Sequence, residues 1–219
     1  PIENIMTGLP GYLVVLFLMQ LLWWFGIHGP NVMGAVTSPF MTKMMATNLE
    51  LYQSGKGVSA SGVFYQAGSQ YSIISSPFEA GWRCPTGSGI TGGLIIAILL
   101  FSKRDDFKAI AKLAIPCGIF NINEPIIFGI PMVMNPMFAV PFFLAPIACA
   151  SLGYLVQYLG LCPLFVISVP WTTPVGLFGF LASSGNIMGG IWQAVIIIAV
   201  STLIYTPFVI ASNRQEEAA

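Results

Sequence analysis

Two stretches of the chain, Met137 to Gly160 and Ile187 to Ser212, are long, clean apolar runs without a single charged residue. A helix of roughly 20 apolar residues crosses the hydrocarbon core of a bilayer, so both predict transmembrane helices. Leu9 to Ile27 (LPGYLVVLFLMQLLWWFGI) is also uncharged and about long enough, and its Trp23–Trp24 pair suits an interfacial anchor. Composition agrees: 56% of the 219 residues are hydrophobic and 7% charged, with a mean hydropathy of +0.81. Soluble domains carry about a quarter charged residues. The chain therefore predicts an all-α, polytopic integral membrane protein.

Several classes of chemistry find no footing. Eight basic and eight acidic residues cancel, and no basic stripe interleaved with aromatics points to nucleic acid. Cys84, Cys117, Cys149 and Cys162 lie far apart, with one histidine in the whole chain, so the spacing of a zinc site is absent and no metal or cofactor is expected. No G-x-x-x-x-G-K-[ST] phosphate loop occurs, and ATP hydrolysis is not expected. The opening PIENIMTGLP has neither an initiator Met nor the basic start of a signal peptide, so residues 1–219 are expected to be a fragment of a longer protein.

Between the first span and Cys84 the chain is more polar. Pro39 to Tyr52 predicts an amphipathic helix at the interface, Tyr65 to Ser76 a loop, and Pro85 to Ser102 a short second span, glycine-rich at one end. The loop FSKRDDFKAIAKL, Phe101 to Leu113, concentrates Lys103, Arg104, Lys108 and Lys112 and is expected on the cytoplasmic side. The tail SNRQEEAA, with Arg214, is expected on the same side. An even number of crossings must then separate the two. Two apolar segments between them, Ile115 to Pro131 and Leu161 to Ser183, are broken by Pro and Gly. Parity holds if both are re-entrant hairpins.

Broken apolar segments matter because non-helical backbone at membrane depth is tolerated only inside protein or beside a water-filled cavity, and such breaks mark binding sites in transporters. In the first, Pro125 suits the first position of a new half-helix. Glu124 is then expected at its start, with Asn123 capping it through its side-chain oxygen. A buried carboxylate there can accept hydrogen bonds from hydroxyls, and in its acid form donate one. The plainer alternative is a structural carboxylate paired with Asn or backbone. In the second, SVPWTTPVGLFGF, two prolines bracket Trp171, Thr172 and Thr173. An indole face suits the C–H side of a sugar ring and Thr hydroxyls its O–H groups; an interfacial Trp anchor is the alternative. His28, before the breaker Gly29-Pro30, is either a hydroxyl-binding imidazole or an ordinary interfacial residue.

FNINEPIIFG, the P-x-x-x-NP after it, VPWTTP and the terminal STLIYTPF together resemble the enzyme IIC component of the bacterial phosphoenolpyruvate-dependent sugar phosphotransferase system, in its lactose/cellobiose/chitobiose branch. The likeness is clearest from Phe101 to Phe208, and RCPTGSGITGG departs from a GGSGAT-like turn of the family. The resemblance implies the C-terminal, sugar-binding part of a multi-pass permease of the bacterial inner membrane, homodimeric in full-length form. A β-linked disaccharide would be bound and phosphorylated at its 6-hydroxyl by a phosphocysteine on a separate enzyme IIB, with enzyme IIA upstream. By the same resemblance Glu124 and His28 surround the reacting hydroxyl, while Asn123, Trp171, Thr172, Thr173 and Trp23 line the sugar. Two other readings use the same residues: a proton- or cation-coupled secondary transporter with Glu124 as the coupling acid, and an inactive fragment or membrane scaffold.

Overall fold

The computed structural model describes residues 7–59 and 62–216, with side chains described as far as residue 213. Helix α1, Leu9–Trp24, starts at Pro10 in its first turn and stops at Trp24, three residues earlier than the apolar pattern suggests. At 1.5 Å per residue it is about 24 Å long. Gly29 and Pro30 do not merely break the chain; Pro30 sits in the first turn of α2, Gly29–Gln53, where a missing N–H is harmless. The helix expected from Pro39 is the second half of this longer one, with Pro39 inside it. A two-residue antiparallel hairpin, β1 (Val58–Ser59) with β2 (Gly62–Val63), is the only sheet among the described residues. Asn48 on α2 then holds the following loop, donating to the Ser72 carbonyl at 2.7 Å and accepting from the Ser72 N–H at 2.9 Å.

Helix α3, Ser76–Trp82, leads into a loop, one 3-10 turn at Ser88–Ile90, and α4, Gly92–Phe101. The ten helical residues of α4 are too few to span a bilayer on their own. The basic stretch expected to be loop is loop only over 102–104, because α5 runs Asp105–Ile119. Asp105 and Asp106 favour its N-terminus, and the Arg104 guanidinium, hydrogen-bonded to Asp106, holds that carboxyl below the usual range. The short α6, Glu124–Gly129, follows the break. Then come α7 (Pro136–Tyr158), the short α8 (Leu177–Ala182), and a continuous run of α9 (Ile187–Val195), a π-turn (Ile196–Val200) and α10 (Ser201–Glu216). Among the described residues two helices are long and apolar enough to cross a membrane, Pro136–Tyr158 and Ile187–Asn213.

The interior divides into two apolar clusters. The first gathers Tyr12, Leu16, Phe78, Trp82, Cys149, Val156, Phe165, Phe178 and Ile196; the second gathers Trp23, Leu94, Phe107, Ile126, Phe138, Phe142, Tyr205 and Val209. Helix α1 and the α9–α10 run pass from the first cluster to the second, and α7 passes back. Trp82 anchors the first, stacked on Phe165 with centroids 5.5 Å apart and planes 4° from parallel. Gly153 on α7 is forced by that ring, since a Cβ there would stand 2.2 Å from Trp82. At the far end Asn213 accepts from the Lys103 N–H at 2.9 Å and donates to the Phe101 carbonyl at 3.0 Å. The basic loop and the α10 turn that carries Asn213 therefore lie together at one end of the described structure.

Candidate functional site

Three interruptions meet between the two clusters. The first is the break after α5: its last turn closes with Phe120 and Ile122 both donating to the Cys117 carbonyl, and Asn121 adopts φ +67°. Asn tolerates this left-handed region better than most residues. Asn123 follows, and Glu124 and Pro125 open α6, whose first N–H groups at Ile126 and Ile127 donate to the Asn123 carbonyl. Asn123 does not cap the helix with its side chain. Its amide instead donates to the Ser88 carbonyl and, at 3.0 Å, to Thr91 Oγ1. The segment Ser88–Thr91 offers these acceptors, 35 and 32 residues upstream, and the buried amide is satisfied there rather than by its own helix. Gly87 has to be glycine: φ is +87° and a Cβ would lie 2.2 Å from Asn123.

The second interruption is the loop Cys84–Thr91. The Thr86 N–H donates to Asn121 Oδ1 at 2.6 Å, and Thr86 Oγ1 accepts from the Gly92 N–H at 2.9 Å, closing the start of α4. Tyr205 Oη donates to the Gly89 carbonyl at 2.8 Å and ties the loop to α10. The third is the turn Pro170–Thr173, closed by a Thr173 N–H to Pro170 carbonyl bond of 2.9 Å. Asn121 Nδ2 donates to the Trp171 carbonyl at 2.5 Å and to the Thr173 carbonyl at 2.9 Å. One asparagine therefore bonds to all three segments. Farther along, the buried Gln193 accepts from the Gly176 and Gly179 N–H groups at 2.9 and 2.8 Å and donates to the Gly81 carbonyl at 2.8 Å, fixing the start of α8.

Around these tips the candidate residues separate into groups. The Glu124 side chain is exposed and carries no hydrogen bond or ion pair among the described residues. Trp171 is 52% exposed, its ring free and its carbonyl held. Thr172 and Thr173 are half-buried in the same turn. Asn123 is buried and its amide nitrogen committed to the Ser88–Thr91 turn. His28 is exposed at the start of α2, where Nδ1 accepts from the Asn31 N–H at 3.3 Å, and its ring lies 4.7 Å from that of the buried Trp23. No direct bond joins His28 to Glu124 among the described residues. Their link is indirect: Trp23 shares the second cluster with Ile126 and Ile127 of α6. The segment after α6 also returns to α1, with the Met134 N–H donating to the Trp24 carbonyl at 3.0 Å and Trp24 Nε1 donating to the Asn135 carbonyl at 3.3 Å.

Asn121, Thr86 and Gln193 carry this geometry. Only Asn121 leaves a trace in sequence, as an Asn beside a helix break. A mostly buried ion pair, Arg83 Nε to Glu79 Oε1 at 3.0 Å, precedes the Cys84–Thr91 loop. A groove of about 370 Å³, lined by Thr86, Ile95, Leu99, Ile115, Val175 and Ile198 among others, is almost wholly apolar; it adjoins the site at Thr86 but includes none of Glu124, His28 or Trp171. No cluster of residues suited to hold a metal ion occurs among the described residues.

Comparison with known proteins gives consistent matches. A family described as "Phosphotransferase system, EIIC" matches residues 3–146. The oligo-beta-mannoside-specific EIIC component of Bacillus subtilis (strain 168) is 35% identical over 98% of this chain and 46% of its own length. The lichenan permease IIC component of the same strain is 36% identical, over 99% and 45%. The crystal structure of the transporter ChbC, the IIC component from the N,N'-diacetylchitobiose-specific phosphotransferase system, superposes with a TM-score of 0.88 at 33% identity, over all of this chain and 48% of that one. The chain spans about half the length of these relatives.

Proposed function

The chain belongs to the phosphotransferase system EIIC family, and from that premise we propose that it is the sugar-binding part of a permease that presents a β-linked disaccharide for phosphorylation during transport. Relatives described as specific for cellobiose, lactose and oligo-β-mannosides support this substrate class. The observation that supports the reading is the meeting of two interrupted apolar segments. One brings an unpaired carboxylate, Glu124, and the other a half-exposed indole, Trp171, onto tips joined by Asn121. In this reading both segments are re-entrant within the inner membrane of a bacterium, where the protein is multi-pass and, in full-length form, a homodimer.

The sugar ring stacks its C–H face on Trp171, with the Thr172 and Thr173 hydroxyls in reach of its O–H groups. Glu124 accepts a hydrogen bond from the 6-hydroxyl and orients it toward the cytoplasmic face. His28, on its Trp23 support, approaches the same hydroxyl from the α1–α2 corner. A phosphocysteine on an enzyme IIB partner, itself recharged by enzyme IIA, supplies the phosphoryl group. The sugar O6–P bond forms as the S–P bond breaks, the thiolate leaves with the partner, and the hydroxyl proton passes to Glu124. Phosphoryl transfer depends chiefly on positioning and charge stabilisation, so no covalent intermediate on this chain is required.

The test is transport by the intact protein reconstituted with phosphorylated IIB. Phosphosugar should accumulate, and Glu124→Gln should slow its formation by about 100-fold or more, the scale of a lost general base. Accumulation of unmodified sugar driven by a proton gradient would replace this reading with a secondary transporter. Unchanged turnover in Glu124→Gln would return Glu124 to a structural role.

A further inference from the structure

We propose that Asn121 is a positioning residue for sugar recognition: it sets the aim of the Trp171 indole relative to Glu124 while touching neither the sugar nor the reacting atoms. The inference rests on the sugar-binding reading above and adds to it the residue that makes two separate loops act as one site.

Three features carry it. First, both N–H donors of the Asn121 side chain are committed and its oxygen is engaged. Its two N–H groups go to the Trp171 and Thr173 carbonyls, and its oxygen takes the Thr86 N–H. A primary amide offers two donors and an acceptor, and with Asn121 buried none of its bonds is readily replaced by water. Second, the Trp171 ring makes no ring contact or hydrogen bond among the described residues and is 52% exposed. The position from which it projects is therefore set by its backbone. That backbone is held by one hydrogen bond within the turn and by the two from Asn121; Gln193 takes hold only from Gly176 onward. Third, Asn121 lies three residues before Glu124, in a left-handed conformation that ends one helix before the next begins. A displacement of the Trp171 turn relative to Asn121 is thus a displacement relative to the carboxylate.

Position 121 calls for a short side chain that tolerates φ +67° and presents two donors beside one acceptor. Aspartate matches the size, the backbone preference and the acceptor, but turns a carboxylate oxygen toward two carbonyls. Asn121→Asp therefore removes the clamp on Trp171 while keeping the bond to Thr86, and Asn121→Ala removes both.

The experiment is a double-mutant cycle on the intact protein in lipid nanodiscs. The probe is whichever of cellobiose, lactose and N,N'-diacetylchitobiose the wild type binds most tightly. If Asn121 acts through Trp171, the two losses are not additive. Asn121→Ala should weaken binding about tenfold, equivalent to about 1.4 kcal/mol. Trp171→Ala should weaken it at least as much, and the double variant should lie within about threefold of Trp171→Ala. Asn121→Asp, which keeps more of the local structure, should reproduce the loss of affinity. Multiplication of the two effects to about 100-fold in the double variant, or wild-type affinity in Asn121→Asp, would overturn the inference. Unchanged affinity in Trp171→Ala would overturn the sugar-binding reading and this inference together.

Discussion

Thr86 occupies the left-handed region at φ +60°, a conformation that costs a residue with a Cβ about 1–2 kcal/mol. A threonine in this conformation needs a compensation. Its hydroxyl supplies one by accepting from the Gly92 N–H at 2.9 Å, an end-capping bond worth about 1 kcal/mol. Thr86→Gly should change stability by less than about 1 kcal/mol because strain and cap leave together, whereas Thr86→Val keeps the strain and loses the cap and should cost about 1–2 kcal/mol. Thermal unfolding in detergent separates the two, and equal stability of Thr86→Val and wild type would remove the hydroxyl from the argument. The Arg83–Glu79 pair can be tested in the same way. Removing one member of a buried pair strands the other charge at a cost of about 3–5 kcal/mol, while removing both costs much less. Arg83→Leu should therefore unfold well below Arg83→Leu/Glu79→Leu; the reverse order would mean that Glu79 is solvated without its partner.

Helices here are joined by single polar side chains rather than by helix–helix packing alone. Gln193 on α9 ties α8 and α3 together through three bonds made at 0% exposure. Gln193→Leu leaves two N–H groups and one carbonyl unsatisfied, each a loss of about 1–3 kcal/mol. The variant should be destabilised by at least about 3 kcal/mol and should loosen the Pro170–Gly176 segment, seen as faster proteolysis there before any change in α1. Sequence reaches such junctions unevenly. The breaks at Asn121–Asn123 and Pro170–Thr173 were legible because Pro, Gly and Asn act locally on the backbone. The long helices were legible from apolar length, and the location of α6 from Pro125. The destination of the Asn123 amide was not legible, because its acceptors lie in a turn distant in sequence and compete with the local cap. Gln193 was equally hidden, as one amide in an apolar run says only that partners exist. The first half of α2 was missed because Gly-Pro reads as a stop, although it serves equally as a start.

At the scale of the whole molecule, the course of the chain between the two clusters bears on which segments cross the membrane. Lys103 and Asn213 meet at the second-cluster end, and Met134 reaches α1 at the Trp24 carbonyl in the same region. The segment from Asp105 to Asn135 thus leaves and returns at one end with its break, Asn121–Asn123, between the clusters. The segment after α7 behaves oppositely: the Val166 and Ile167 N–H groups both donate to the Ala182 carbonyl, so its two arms lie together at the first-cluster end. By the positive-inside tendency, the basic residues concentrated at the second-cluster end predict that this end faces the cytoplasm. Single cysteines introduced into a cysteine-free background at Lys103, Met134, Leu159 and Ile187 should then divide in pairs. A membrane-impermeant maleimide added to intact cells should label positions 159 and 187, and positions 103 and 134 only after permeabilisation. Labelling of position 134 from outside would make Ile115–Pro131 a complete crossing, separating its two ends across the bilayer and removing the re-entrant tip on which Glu124 is proposed to meet the sugar.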